Sequence, residues 1–189
     1  MTSDSVLSGR RIVLAVTGSV AAYKAVELAG LLTRAGAVVP VILTRSAQEF
    51  LRPLSFEAIT RQPVYTGLFE DHAVEPRHVA LAEAAEAVAV APATAQCLAK
   101  LALGLADDLL SCVALATRAP ILLAPAMNEG MFTHPATQAN LAMLRSRGVL
   151  VVGPEEGRLA NGHVGIGRMA EPEAVFRAVR ALFQQGALA

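Results

Sequence analysis

The chain has 189 residues, 54% of them hydrophobic and 17% charged, and its 16 basic and 16 acidic side chains cancel to zero formal charge. That length suits a single domain with a sizeable core. A neutral balance, no Trp and only 4% aromatic content exclude an electrostatic nucleic-acid binder built on stacking platforms.

The N-terminal stretch has no apolar h-region, and no run approaches the roughly 18 apolar residues of a membrane helix. The chain is therefore expected to be cytoplasmic, without a membrane partner. Alanine supplies much of the apolar excess, which fits closely packed helices or a surface covered in an oligomer. Cys97 and Cys112 lack zinc-ligand spacing and lie in apolar helical sequence, so both are expected to be buried free thiols, and no metal site is expected.

In chain order, Arg11–Thr17 is a β-rich apolar run ending at Gly18. Ala22, Ala25, Val26, Ala29 and Leu32 then mark an amphipathic helix that Gly36 stops. Val38–Thr44 predicts a second buried strand, Ser55–Thr60 a short helix and Pro63–Thr66 a short strand. Ala87–Ala91 predicts a strand, followed by a helix from Thr94 to about Ala106. Asp107 and Asp108 can cap the next helix, which runs to about Ala116. Ile121–Ala124 is again a strand, Thr133 caps a helix ending at Gly148, and Val149–Val152 is the last clear strand. Pro172 opens the final helix, with Val175, Ala178, Val179 and Leu182 on one face.

Continuous apolar strands alternating with helices indicate a parallel sheet covered on both faces. The expected architecture is a three-layer α/β/α Rossmann-like (flavodoxin-like) fold, one domain over residues 1–189, with no repeat or linker.

Ligands of such sheets bind beyond the carboxyl ends of the strands, where the most unusual segments fall. Thr17-Gly18-Ser19 offers backbone N–H groups and a hydroxyl to an anion, or simply makes a tight turn with a serine cap. Thr44-Arg45-Ser46 adds hydroxyls at the same rim, or a cap. Pro92-Ala93-Thr94-Ala95-Gln96 is a small-residue turn that lets a flat ring approach the backbone. Asn128 stands between Met127 and Met131, where a buried amide would need a polar partner. Spacing does not choose among His72, His78, His134 and His163.

Taken together, GSVAAYK at Gly18–Lys24, HVAL at His78–Leu81, PATA at Pro92–Ala95, ADDLLS at Ala106–Ser111, PAMNEGM at Pro125–Met131 and GHVGIGRMAEP at Gly162–Pro172 resemble the homo-oligomeric flavin-containing cysteine decarboxylases. Phosphopantothenoylcysteine decarboxylases and peptidyl-cysteine decarboxylases belong to that family. The resemblance implies FMN, with Gly18, Ser19 and Thr44 or Ser46 at its phosphate. Phe50, Pro92, Ala93, Thr94, Gln96, Ser111 and Met127 would surround its ribityl chain and ring. It implies His78 and Asn128 as the catalytic pair, and Asn128, Met131, Asn161, Arg168 and Met169 at the substrate. It also implies a homotrimer, or a dodecamer assembled from trimers, with FMN near a subunit interface.

The residues fit that chemistry. Oxidising a thiol to a thioaldehyde places C=S β to the carboxylate, which can then leave as CO₂, and the hard redox step belongs to the flavin. A neutral amide can orient the carboxylate, and an imidazole can take the thiol proton.

Three positions depart from the family pattern. The coenzyme A branch carries Ala-Cys-Gly before GxGRM, whereas this chain has Leu159-Ala160-Asn161-Gly162. Gln96 stands where Asn is frequent, and Phe132 where Trp is common. Without that cysteine the reaction is expected to stop at the unsaturated enethiol. The expected substrate is therefore a ribosomal peptide ending in cysteine, with phosphopantothenoylcysteine as the alternative. A non-catalytic FMN-binding regulator is a further alternative. A nicotinamide dehydrogenase is disfavoured, since no GxGxxG follows the first strand.

Overall fold

Ile12–Val16 (β1) reads IVLAV, and all five residues are buried. Such a strand is stable only between two apolar layers. The computed structural model, which describes residues 6–69, 76–160 and 162–185, supplies both. Beside β1 lie Val41–Leu43 (β2), Val64–Tyr65 (β3), Ala87–Ala93 (β4), Ile121–Pro125 (β5) and Leu150–Val151 (β6). The order across the sheet is β3-β2-β1-β4-β5-β6, and every neighbouring pair is parallel. This is the doubly wound order whose topological switch point falls between β1 and β4. The expected α/β/α Rossmann-like fold is the fold observed.

Alternation along the strands divides the core. Ile12, Leu14 and Val16 pack with α1 (Tyr23–Arg34), α2 (Leu54–Thr60) and α8 (Pro172–Gln185). Val13, Ala15, Val88 and Val90 pack with α3 (Arg77–Ala84), α4 (Ala95–Leu103), α5 (Leu109–Ala116) and α7 (Pro135–Ser146). Leu14, Leu28, Leu98, Leu122 and Leu141 are fully buried, each stabilising the fold by roughly 1.5–3 kcal/mol. Buried alanines at 87, 89, 91 and 93 fill the middle of the sheet, so part of the alanine excess belongs to β4. No helix among the described residues is long and apolar enough to cross a membrane.

Several boundaries differ from the sequence pattern for local reasons. The β2 ladder covers only Val41–Leu43 because Pro40 has no N–H to donate, although its carbonyl accepts from Leu14. α4 stops at Leu103, where Gly104 takes a left-handed conformation with φ 70° and returns its N–H to the Lys100 carbonyl. Asp108, not Asp107, caps α5. Thr133 ends the short helix α6 (Glu129–Thr133), and His134 caps α7 by accepting from the Ala136 N–H at Nδ1. Cys97 is buried as expected, but Cys112 is only half-buried.

Besides the short α6, two features do not show in the sequence pattern. One is α3, which carries His78. The other is an antiparallel hairpin, β7 (Glu155–Arg158) with β8 (Val164–Arg168), which forms its own two-stranded sheet. His72 and Asn161 lie outside the described residues.

Candidate active site

Thr17 ends β1 as a buried hydroxyl, and its bonds fix the switch point. Its Oγ1 donates to the Pro92 carbonyl (2.7 Å) and accepts from the Thr94 N–H (3.1 Å), tying β1 to β4 at their carboxyl ends. A cleft of about 820 Å³ opens there, between the strand ends and the first turns of α4 and α5. That volume lies in the usual range of small-molecule sites.

On one wall, Gly18 packs so closely on the next strand's loop that a Cβ would overlap the Cβ of Ser46. Thr44 donates its hydroxyl to the Val16 carbonyl (3.2 Å) and accepts from Ala47 (3.3 Å). Ser46 is exposed and makes no cap bond, and Arg45 beside it is also exposed on the wall. The groups suited to an anion are thus a hydroxyl and a guanidinium on a short loop. Arg45 carries no mark in the sequence pattern, because an isolated surface arginine is ordinarily just solvated.

Ser19 does not line the cleft. It caps the 3-10 turn Val20–Ala22 by accepting from the Ala21 N–H (3.2 Å).

Across the cleft, Thr94 caps α4 by accepting from Cys97 (3.4 Å), and Gln96 stands exposed on the wall. Ser111, also on the wall, is held in a reciprocal capping box. Asp108 accepts from the Ser111 N–H (2.8 Å) while its own N–H donates to Ser111 Oγ (3.1 Å). Pro92 and Ala93 lie buried beneath the cleft at the end of β4. Phe50, 51% exposed, lines a separate pocket of about 340 Å³ with Arg45 and Arg52.

Lys100 joins this wall by pairing with Asp107 (2.6 Å) and Asp108 (2.7 Å). Burial pushes the Asp108 carboxyl up, but the Lys100 ion pair and the two Ser111 hydrogen bonds outweigh it and hold the group below its ordinary 3.8. Burial above all, with the Asp108 charge second, pushes the Cys97 thiol up to about 12, so it stays protonated.

A depressed carboxyl pKa stabilises the fold above 3.8, and that stabilisation is lost as pH falls through the lower folded-state value. Replacing Lys100 by Met leaves burial without its counterweight, so the acid-unfolding midpoint followed by circular dichroism is expected to move to higher pH. An unmoved midpoint would show that the cap does not depend on Lys100.

The Asn128 segment sits at the end of β5. Asn128 caps α6, its Oδ1 accepting from the Gly130 N–H (2.8 Å), so the amide oxygen is satisfied and the side chain is exposed. Met131, 50% exposed, lines the cleft, whereas Met127 is half-buried behind it. Strand β8 lies against this segment, with the Met127 N–H donating to the Gly167 carbonyl (3.0 Å). Side chains at 165 and 167 would strike the Glu129 carboxylate and the Met127 carbonyl. Arg168 closes the open end of the hairpin by pairing with Glu155 (3.2 Å). Met169 is fully buried in the core, so its side chain does not reach a substrate.

His78 stands in the first turn of α3, half-buried. Neither His78 nor Asn128 lines the cleft, and no hydrogen bond joins them within one chain. The cleft therefore has the chemistry for a flat cofactor with a phosphate. Hydroxyls and Arg45 stand on one wall, and Ile42, Leu68, Leu101 and Leu110 supply apolar surface.

A family model described as "Flavoprotein" matches residues 1–184. The "Coenzyme A biosynthesis bifunctional protein CoaBC" of Haemophilus influenzae is 46% identical over 180 residues, covering 95% of this chain and 45% of that protein. Its Bacillus subtilis counterpart is 45% identical over 172 residues, covering 90% of this chain and 42% of the relative. The chain thus spans less than half the length of these relatives. Among solved structures, a cysteine-to-serine variant of "PPC decarboxylase" complexed with pantothenoylaminoethenethiol superposes with a TM-score of 0.83 at 33% identity, covering 93% of this chain and 99% of that one. The "FMN-dependent Cysteine Decarboxylase SpaF" gives 0.84 at 31% identity, covering 96% and 99%.

Proposed function

Because the chain belongs to the Flavoprotein family, we propose that it is an FMN-dependent decarboxylase of phosphopantothenoylcysteine. FMN is its cofactor, as in the family and its structural neighbours. The expectation of a peptide substrate is corrected by the curated relatives. Proteins 46% and 45% identical over nearly the whole chain are the coenzyme A enzymes. The expected end at an enethiol rested on Asn161 alone. One residue is weak evidence of substrate beside similarity that extends over 95% of the chain.

The observation that carries this reading is the conjunction of that similarity with the cleft at the β1–β4 switch point. Bound there, FMN would take up the two electrons of the cysteine thiol's oxidation and return them to the product once CO₂ has left, so that loss of CO₂ is the net change. The chain's own groups do the rest. Gly18 would bring backbone close to the phosphate, with the Ser46 hydroxyl and the Arg45 guanidinium available to it, since all three line the cleft. Thr94 and Gln96, across the cleft, would flank the ring. The free N–H groups of the Asn128 amide hold the substrate carboxylate in its ionised form, ready to leave as CO₂. His78 accepts the thiol proton. Neither residue lines the cleft within one chain, and a homo-oligomer that brings α3 of one subunit to the Asn128 segment of another would complete the site.

The test is incubation of FMN-loaded protein with phosphopantothenoylcysteine and, separately, with a peptide ending in cysteine. Mass spectrometry is expected to show loss of CO₂ from the first and an unchanged second. Decarboxylation of the peptide alone would overturn the assignment.

A further inference from the structure

Lys24 is buried where a cation is least favoured. It occupies the first turn of α1, at the positive end of the helix dipole, and is only 6% exposed. Both costs are offset by one short segment. Nζ donates to the Met169 carbonyl (3.0 Å) and pairs with Glu171 (3.0 Å). The Lys24 ammonium holds the Glu171 carboxyl below its ordinary value, with Arg168 assisting.

The segment it grips is the direct continuation of β8. Glu171 also pairs with Arg168 (2.9 Å), and Arg168 pairs with Glu155 at the first residue of β7. Gly157 leaves room for this arginine, since a Cβ there would stand 2.9 Å from its Nε. A chain of charges thus runs from α1 through Glu171 and Arg168 to both strands of the hairpin. Beyond it, β8 rests on Met127 and Glu129, on either side of Asn128. Partly buried ion pairs contribute little net stability, and the best-attested use of a buried charge pair is to fix one arrangement among several.

We propose that Lys24 is a positioning residue: it anchors the root of the β7–β8 hairpin, so that β8 holds the Asn128 segment in place for substrate. The proposal rests on the reading that Asn128 meets the substrate. Without the ammonium, Glu171 and Arg168 retain each other but lose their ion pair to α1.

The experiment compares FMN-loaded wild type with Lys24→Met by hydrogen exchange and by steady-state kinetics. Amides of residues 164–168 are expected to exchange about tenfold faster while those of β1 and β4 keep their protection. KM for phosphopantothenoylcysteine is expected to rise about tenfold with kcat within about twofold, and Lys24→Arg to restore both. Unchanged exchange in β8, or a rise shared equally with β1 and β4, would overturn the anchor. Should Lys24→Met fail to fold, Glu171→Gln alters an exposed carboxylate and is expected to show the same local change; unaltered exchange there overturns the proposal too. Faster exchange confined to β8 in a protein that turns over neither substrate would support the anchor and refute the substrate assignment separately.

Discussion

Replacing Asn128 by Asp is expected to lower kcat/KM about 100-fold or more while leaving the melting temperature and the FMN content close to wild type. The substitution separates two roles of one side chain. As a cap, Asn128 needs only an oxygen to accept from the Gly130 N–H, and Asp is an equally good cap. As a partner of a carboxylate, the residue needs N–H donors and no negative charge. Asp removes the donors and sets like charges against each other. Lowering the pH through the new carboxyl's titration range restores an O–H donor and is expected to recover part of the activity. Steady-state kinetics across pH, with thermal melts of the same preparation, make the measurement. Full activity in Asn128→Asp would remove this residue from contact with the substrate.

Gly18→Ala is expected to weaken FMN binding about 100-fold and to destabilise the fold by roughly 1–3 kcal/mol, the cost of overpacking a tight site. A Cβ at 18 would overlap the Ser46 Cβ and stand 3.0 Å from that residue's carbonyl carbon and oxygen. Backbone cannot swing aside as a flexible side chain would, so the β1 turn must move away from the Ser46 loop. The two halves of the proposed phosphate site then separate. Flavin-fluorescence titration reads the affinity. The double variant Gly18→Ala with Ser46→Gly tests the cause by thermal melts, because removing the Ser46 Cβ relieves the main overlap and is expected to recover part of the lost stability. Wild-type affinity in the single variant would show that close approach of these loops is not needed to hold the cofactor.

The fold was legible wherever burial was complete. β1 and β4 are continuous apolar runs because both faces are covered, and the α1 stripe follows from one buried face. The cleft was legible through the strand-end rule, which marks Gly18, Thr44, Ser46, Thr94 and Gln96, and all of these line it. The hairpin was not. Its strands read EEGR and VGIGR, and glycine and charge argue against a strand locally. Gly157, Gly165 and Gly167 are there because Arg168, Glu129 and Met127 press on them, which only the folded chain reveals. Helix α3 escaped because only Leu81 and Ala82 of its eight residues are buried, too little for a periodic pattern. Lys24, Arg45 and Lys100 escaped because charged residues are presumed solvated until their neighbours are known. The substrate was misjudged because one departure, Asn161, does not outweigh similarity that covers 95% of the chain.

The hairpin shares no ladder with the six-stranded sheet, since β7 and β8 pair only with each other. Insertions or drift at its tip therefore leave the register of the nucleotide-binding sheet untouched. Selection can remodel the ribbon beside the Asn128 segment while the strand pairing of the sheet stays constant. A single ancestral scaffold could in this way diversify its clientele by editing one detachable ribbon.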